Sequence, residues 1–189
     1  GDEYLAGELK LSECKILDID TGGVGERYCI DLTCLISRGE GMLIGSSASS
    51  LALVHGEVIE SEFVPARPFR VNAGSPHSYI LMADGKTKYL SELLSGDEIM
   101  LISESGNTRP ATIGRLKIET RPFLRITWQN NYQISNTIYL QQAETVRVLA
   151  GSGEAISVTK LKTGDSILCH NSNHTRHIGN KVAITSKEV

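Results

Sequence analysis

Imidazole, carboxylate, guanidinium and ammonium side chains crowd one stretch of this chain of 189 residues. Between Leu51 and Leu94, His55, Glu57, Glu60, Arg67, Arg70, Asn72, His77, Lys86 and Tyr89 stand among apolar, β-branched segments. If Leu51 to Ile59 forms a strand, its period of two puts His55 and Glu57 on one face with Leu53 and Ile59, and Val54, Val58 and Glu60 on the other. An imidazole beside a carboxylate suits a divalent metal such as manganese or zinc, or a base with the group that orients it. The same two residues also suit a plain surface pair on a half-exposed strand.

Arg67 and Arg70 flank Pro68 and Phe69 closely enough to converge on one carboxylate or phosphate through the bidentate guanidinium fork. Asn72 offers a directional amide to a substrate hydroxyl, or simply makes a turn with Gly74. His77, after Pro76 in a loop, is a candidate acid/base or metal ligand, although a lone loop histidine is more often neither. Lys86 lies beside a hairpin turn, where a lysine is usually solvated; a Schiff-base role requires burial. Glu144 can complete a carboxylate-imidazole metal cluster with His55 and Glu57, or serve as a cap or turn contact.

The elements that must position these groups read as strands. Glu13 to Asp20, Arg27 to Ile36, Met42 to Ser46, Leu51 to Ile59 and Ser78 to Met82 alternate or run apolar, and Asp84-Gly85 marks a two-residue hairpin before Lys86 to Leu90. TGGVGE, residues 21–26, lacks the helix that a dinucleotide fingerprint requires after its glycines, so a hairpin turn is expected there. Ala111 to Glu119, Phe123 to Trp128, Thr137 to Leu140 and Glu144 to Leu149 continue the pattern. Tyr89 to Ile102 and Ser157 to His170 share a leucine, a Gly-Asp step and an apolar strand, the mark of a duplicated β unit. More than ten strands with turn signals between them predict a mainly β fold of many short antiparallel strands in sandwich or barrel-like subdomains, with few short helices. The expected units are 1–94, carrying the site, and 95–189, carrying the Gly-Asp repeat.

Composition limits the function classes. With 40% hydrophobic and 22% charged residues the chain is ordinary globular protein, and a net charge of −3 with scattered Lys and Arg leaves no electrostatic footprint for nucleic acid. No apolar run approaches a membrane span and no signal peptide stands at the N-terminus, so a cytoplasmic protein is expected. Cys14, Cys29, Cys34 and Cys169 have no C-x-x-C spacing and read as buried thiols.

GEGMLIGS (39–46), LVHGEVIES (53–61), RPFRVNAG (67–74), GKTKYLSEL (85–93), GDEIMLI (96–102), QAETVRV (142–148) and SVTKLKTGD (157–165) resemble, in order, the archaeal-type 3-dehydroquinate synthase, the type II enzyme. The resemblance covers the C-terminal half of a typical member. It implies an NAD-dependent oxidative deamination and cyclisation of an amino-dideoxy-heptulosonate to 3-dehydroquinate, in which His77 or Glu60 carries protons, a metal at His55 and Glu57 polarises a carbonyl, and Arg67 with Arg70 holds the carboxylate. Arg176-His177 in RHIG resembles the family's RHFG and joins the substrate-binding candidates. The implied partners are a small carboxylate substrate, the N-terminal half of the enzyme in the same or another chain, and a second copy in a homo-oligomer. No nicotinamide-binding fingerprint is evident in the sequence, so the dinucleotide site is expected in another segment or chain. Two alternatives accompany this expectation: a metal-dependent cyclase similar to the 3-amino-4-hydroxybenzoate synthases, and a non-catalytic β scaffold. The repeated Gly-Asp pattern also suggests a Hint-like autoprocessing fold, but Gly1 and the Lys187-Glu188-Val189 end lack its nucleophile and His-Asn.

Overall fold

A computed structural model describes residues 7–172. The chain is mainly β. Its strands are β1 (Gly7–Glu8), β2 (Ser12–Leu32), β3 (Glu40–Ser47), β4 (Ser50–His55), β5 (Arg70–Gly74), β6 (Tyr79–Leu81), β7 (Thr87–Tyr89), β8 (Glu98–Ser103), β9 (Asn107–Gln129), β10 (Ser135–Gln141), β11 (Arg147–Leu149), β12 (Ala155–Ser157) and β13 (Ser166–Asn171). All belong to one antiparallel sheet, and among the described residues the only helical pieces are 3₁₀ turns at Leu90–Glu92 and Val158–Lys160.

The sheet closes on itself. Following the pairings, β4 joins β13, β13 joins β2, β2 joins β9, β9 joins β8, β8 joins β3, and β3 returns to β4. Closure leaves every strand of the ring with a neighbour on both sides within the ring and encloses a core. The ring takes β2, β3 and β4 from residues 1–94 and β8, β9 and β13 from 95–189. Both faces of its wall are buried. In β3, β4 and β8 one parity (Met42, Ile44, Ala52, Val54, Ile99, Leu101) packs inside, while the other (Leu43, Leu51, Leu53, Met100, Ile102) packs in a second cluster on the opposite face. That is why GMLIG, LALV and IMLI run apolar without alternating. The buried Trp128 indole donates to Ser50 Oγ at 2.9 Å, so its N–H is satisfied inside the core.

Two strands outrun the turn signals. β2 spans 21 residues and β9 spans 23, each uniting segments expected to be separate. The glycines of TGGVGE make no hairpin. They form a bulge inside β2, where Gly23 adopts φ +77° and the register skips between Thr21 and Val24. A hairpin would pair the flanks with each other; here both find β9, through Ile19 opposite Ile126 and Arg27 opposite Glu119. Pro122, opposite Val24 beside the bulge, sits where a missing N–H costs least.

The Gly-Asp repeat is a true structural duplication. Met82 N–H donates to Lys86 O at 2.8 Å and Ala150 N–H to Glu154 O at 2.7 Å; Gly96 N–H donates to Ile113 O and Gly164 N–H to Ile16 O, both at 2.8 Å. Asp97 and Asp165 each accept, through Oδ2, the backbone N–H three residues earlier, at 3.0 and 2.9 Å. Gly85, Gly153, Gly96 and Gly164 all have positive φ, from +87° to +97°. The Gly-Asp steps are therefore scaffold.

Candidate functional site

Four of the buried polar side chains among the described residues, Arg27, Asp31, Arg70 and Asn72, gather on one face of the β2–β5–β9 region. Alternate residues Arg27, Cys29 and Asp31 of β2 stand opposite Glu119, Lys117 and Arg115 of β9, and Asn72 and Arg70 of β5 flank Cys29 and Asp31 on the other side. Asp31 is buried and accepts from Arg70 Nε at 2.7 Å, Arg70 Nη2 at 3.1 Å and Arg115 Nε at 2.7 Å. Burial pushes its pKa up, but those hydrogen bonds and the two charges outweigh it and hold the carboxyl below its ordinary value. The buried Arg27 donates from Nη2 to Glu119 Oε1 at 2.7 Å and from Nη1 to Gln141 Oε1 of β10. Gln141 Oε1 also accepts from Asn72 Nδ2 at 2.9 Å. Since a guanidinium can only donate, Arg27 fixes the orientation of the Gln141 amide, and Gln141 in turn fixes that of Asn72.

Two atoms of this network are left over. Arg27 Nε and Asn72 Oδ1 are buried with no protein partner. Such groups cost about 1–3 kcal/mol each unless something completes them. One is a donor and the other an acceptor, the pair that a hydroxylated anion or a bound water satisfies. Gly25 and Tyr139, one alternating step from Arg27 and Gln141 along β2 and β10, line an open groove of about 610 Å³ together with Gly22, Phe123 and, from the turn after β5, Ser75 and His77. A Cβ on Gly25 would sit 3.2 Å from the Phe123 ring, and one on Gly22 would sit 3.0 Å from that of Tyr139, so these glycines let the aromatic rings close on the backbone.

Glu57 stands over the cluster. Its backbone pairs with Arg67 and its N–H donates to Arg70 O at 2.8 Å. Burial raises the pKa of its carboxyl, opposed by Arg70, Arg67 and Arg27. Arg67 is half-buried and its guanidinium makes no hydrogen bond among the described residues. Arg70, by contrast, has its fork occupied by Asp31, so the two arginines do not form the free clamp expected of them.

The expected pairing of His55 with Glu57 on one strand face is not realised. β4 ends at His55: Gly56 N–H still donates to Glu40 O of β3 at 3.0 Å, but Glu57 then leaves β3 and pairs with Arg67 instead. His55 is buried, accepts at Nε2 from Gly39 N–H at 3.0 Å, and borders a cavity of about 390 Å³ lined also by Arg38, Ile59, Glu104 and Leu149. Burial, reinforced by Arg147 and Arg38, brings its pKa down to about 4. The ring is therefore neutral near pH 7, with its proton on Nδ1, a buried atom without a partner. Glu144 is exposed in the turn before β11. Among the described residues no three His, Cys, Asp or Glu side chains form a group that could hold a metal, so His55, Glu57 and Glu144 do not make the expected cluster.

Of the remaining candidates, Glu60 and Lys86 are exposed, His77 is exposed on the rim of the groove, and Asn72 is at the centre of the network. Arg176 and His177 lie outside the described residues. All four cysteines are free, and burial pushes the Cys29 thiol, which lies within the cluster, up to about 11. Sequence reading missed Arg27, Asp31, Arg115, Glu119 and Gln141. Their signal was present in the alternation of Arg27-x-Cys29-x-Asp31, with charges on either side of Cys29, and of Arg115-x-Lys117-x-Glu119-x-Arg121, charged at every second position.

Comparison with known proteins decides the family. Residues 13–188 match the family described as 3-dehydroquinate synthase II C-terminal domain. This chain belongs to the 3-dehydroquinate synthase II family. It is similar to proteins named 3-dehydroquinate synthase from Methanocaldococcus jannaschii, at 46% identity over 178 residues (94% of this chain, 49% of the relative), and Nitrosopumilus maritimus, at 45% over 174 residues (92% and 49%). The Methanosphaera stadtmanae relative is 44% identical over 169 residues (89% and 47%). The chain thus spans about half the length of the curated relatives it matches. No helix among the described residues is long and apolar enough to cross a membrane.

Proposed function

We propose that this chain forms the C-terminal β half of a 3-dehydroquinate synthase of type II, acting with an N-terminal half in the NAD-dependent oxidative deamination and cyclisation of an amino-dideoxy-heptulosonate to 3-dehydroquinate. The observation that carries this reading is the family match across residues 13–188. In this reading the groove beside Arg27, Gln141 and Asn72 receives the substrate. Arg27 Nε and the unengaged Arg67 guanidinium meet its carboxylate, Asn72 Oδ1 accepts from a hydroxyl, and Asp31 keeps Arg70 and Arg115 in place around them. Glu57, whose burial favours the protonated carboxyl, and His77 on the groove rim are the proton carriers.

The described residues do not fit a dinucleotide or a metal ion. The glycines of TGGVGE lie within a strand rather than before a helix N-terminus, where a pyrophosphate would find aligned N–H groups. Among the described residues no group of His, Cys, Asp and Glu forms that could hold a metal. NAD is therefore assigned to other parts of the enzyme, and the work of this chain is to bind and orient the substrate and to move protons. The test is reconstitution: this chain, the N-terminal half, substrate and NAD are combined and 3-dehydroquinate is measured. Product is expected only with both halves present; robust turnover by this chain alone, or none with both halves, overturns the reading.

A further inference from the structure

The long ribbon of β2 and β9 leaves two backbone edges uncovered among the described residues. On the outer side of β9, pairing with β8 stops at Thr112 and pairing with β10 starts at Phe123. Between them, the Gly114 carbonyl accepts from Ser95 Oγ and the Pro122 carbonyl from Gln142 N–H, which leaves Arg115 to Arg121 as the open edge. The corresponding edge of β2 lies between the pairing of Lys15 with Ser166 and that of Tyr28 with Gly74. It carries Asp18, Asp20 and the Gly23 bulge, features that blunt an edge against pairing. The β9 edge has regular register throughout, with residues 115–121 pairing one for one with β2.

We propose that Arg115 to Arg121 is a self-pairing edge through which two copies of this chain form a two-fold dimer, joining their sheets antiparallel. The midpoint of the open stretch is Ile118. Antiparallel pairing about Ile118 sets each residue opposite one of the same parity, so outward amides meet outward carbonyls. It also sets Lys117 opposite Glu119 of the partner subunit, and Glu119 opposite Lys117 of the partner subunit. On the other face Ile118, an apolar side chain 45% exposed, meets Ile118 of the partner subunit. Centring the pairing on Lys117 or Glu119 puts that charge against itself. Centring on Thr120 pushes Lys117 against Phe123, whose outer edge β10 already covers. One register therefore satisfies charge, parity and length together, and the interface is isologous, as a closed dimer requires. An edge this short gives a reversible dimer rather than an obligate one.

Sedimentation velocity from micromolar to submillimolar concentration tests the proposal, read with hydrogen exchange at the two extremes. A monomer-dimer equilibrium is expected, with amides of 115–121 protected only at high concentration. Lys117→Glu replaces two opposite-charge pairs by two like-charge pairs and is expected to weaken dimerisation at least about tenfold, each cross-strand pair contributing a fraction of a kcal/mol. A chain that stays monomeric, a dimer whose new protection lies elsewhere, or open-ended growth that also protects 17–25 would each overturn it, as would a folded Lys117→Glu protein that dimerises like wild type. The exchange measurement on wild type decides the matter even if the variant does not fold.

Discussion

Replacing Asp31 by alanine removes the one acceptor that holds two arginines together. Arg115 is largely exposed and can turn to water, whereas Arg70 is buried and has both contacts of its fork, 2.7 and 3.1 Å, on Asp31. Breaking a buried pair by deleting one partner costs about 3–5 kcal/mol, because the remaining charge is left uncompensated. With a urea slope of about 2 kcal/mol/M, the unfolding midpoint should fall by roughly 2 M at unchanged slope. Asp31→Leu combined with Arg70→Met should recover most of that loss, since an apolar pair of similar volume carries no desolvation penalty. Equilibrium urea unfolding of wild type, the two single variants and the double variant is the assay. A loss below about 1 kcal/mol for Asp31→Ala, or a double variant as unstable as the sum of the singles, would refute the coupling. The sign of the pH dependence follows from the same contacts. Because Arg70 and Arg115 hold the folded-state pKa of Asp31 below its ordinary value, its contribution is complete above that ordinary value and is lost as pH falls through the folded one.

His55 behaves differently, since its folded pKa of about 4 lies below an ordinary value near 6.5: wild-type stability should fall as pH drops from the higher value toward the lower, and His55→Gln should flatten that part of a stability profile measured by thermal unfolding. Gly74→Ala should destabilise far more than Gly23→Ala: both have positive φ, but a Cβ at 74 would lie 2.1 Å from Tyr139 O, whereas nothing lies within 4 Å at 23, where about 1 kcal/mol is expected in urea unfolding. Arg67→Ala should leave stability within about 0.5 kcal/mol, as its guanidinium makes no hydrogen bond among the described residues, yet weaken carboxylate binding in the reconstituted enzyme by calorimetry.

The β character was legible because apolar runs, alternation and Gly-Asp punctuation are local signals. The hairpin at Asp84-Gly85 stands where its signal places it, with a loop of three residues rather than two, Ala83 to Gly85, closed by Met82 N–H on Lys86 O. The lengths of β2 and β9 were not legible, since the glycines at 22–25 read as a turn until a long partner strand holds both flanks in register. For the site, the arginines and Asn72 around Phe69 were visible as types, but their partners come from Arg27, Asp31, Arg115 and Gln141, distant in sequence and joined only by register. His55 and Glu57 were misplaced for a local reason. A period of two continues only while the strand does, and β4 ends at His55, after which Glu57 exchanges β3 for Arg67 and Arg70 as its backbone partners.

The most direct test of the central claim is 3-dehydroquinate formation by this chain reconstituted with the N-terminal half, comparing wild type with Gln141→Leu and Arg27→Lys, each verified as folded. Gln141→Leu removes the acceptor that orients Arg27 and Asn72, and Arg27→Lys replaces the fork by a point charge. Both variants are predicted to lose at least about tenfold in kcat/KM, the loss of roughly one charged hydrogen bond. Wild-type turnover by both folded variants would contradict the claim that this cluster is where the chain meets its substrate.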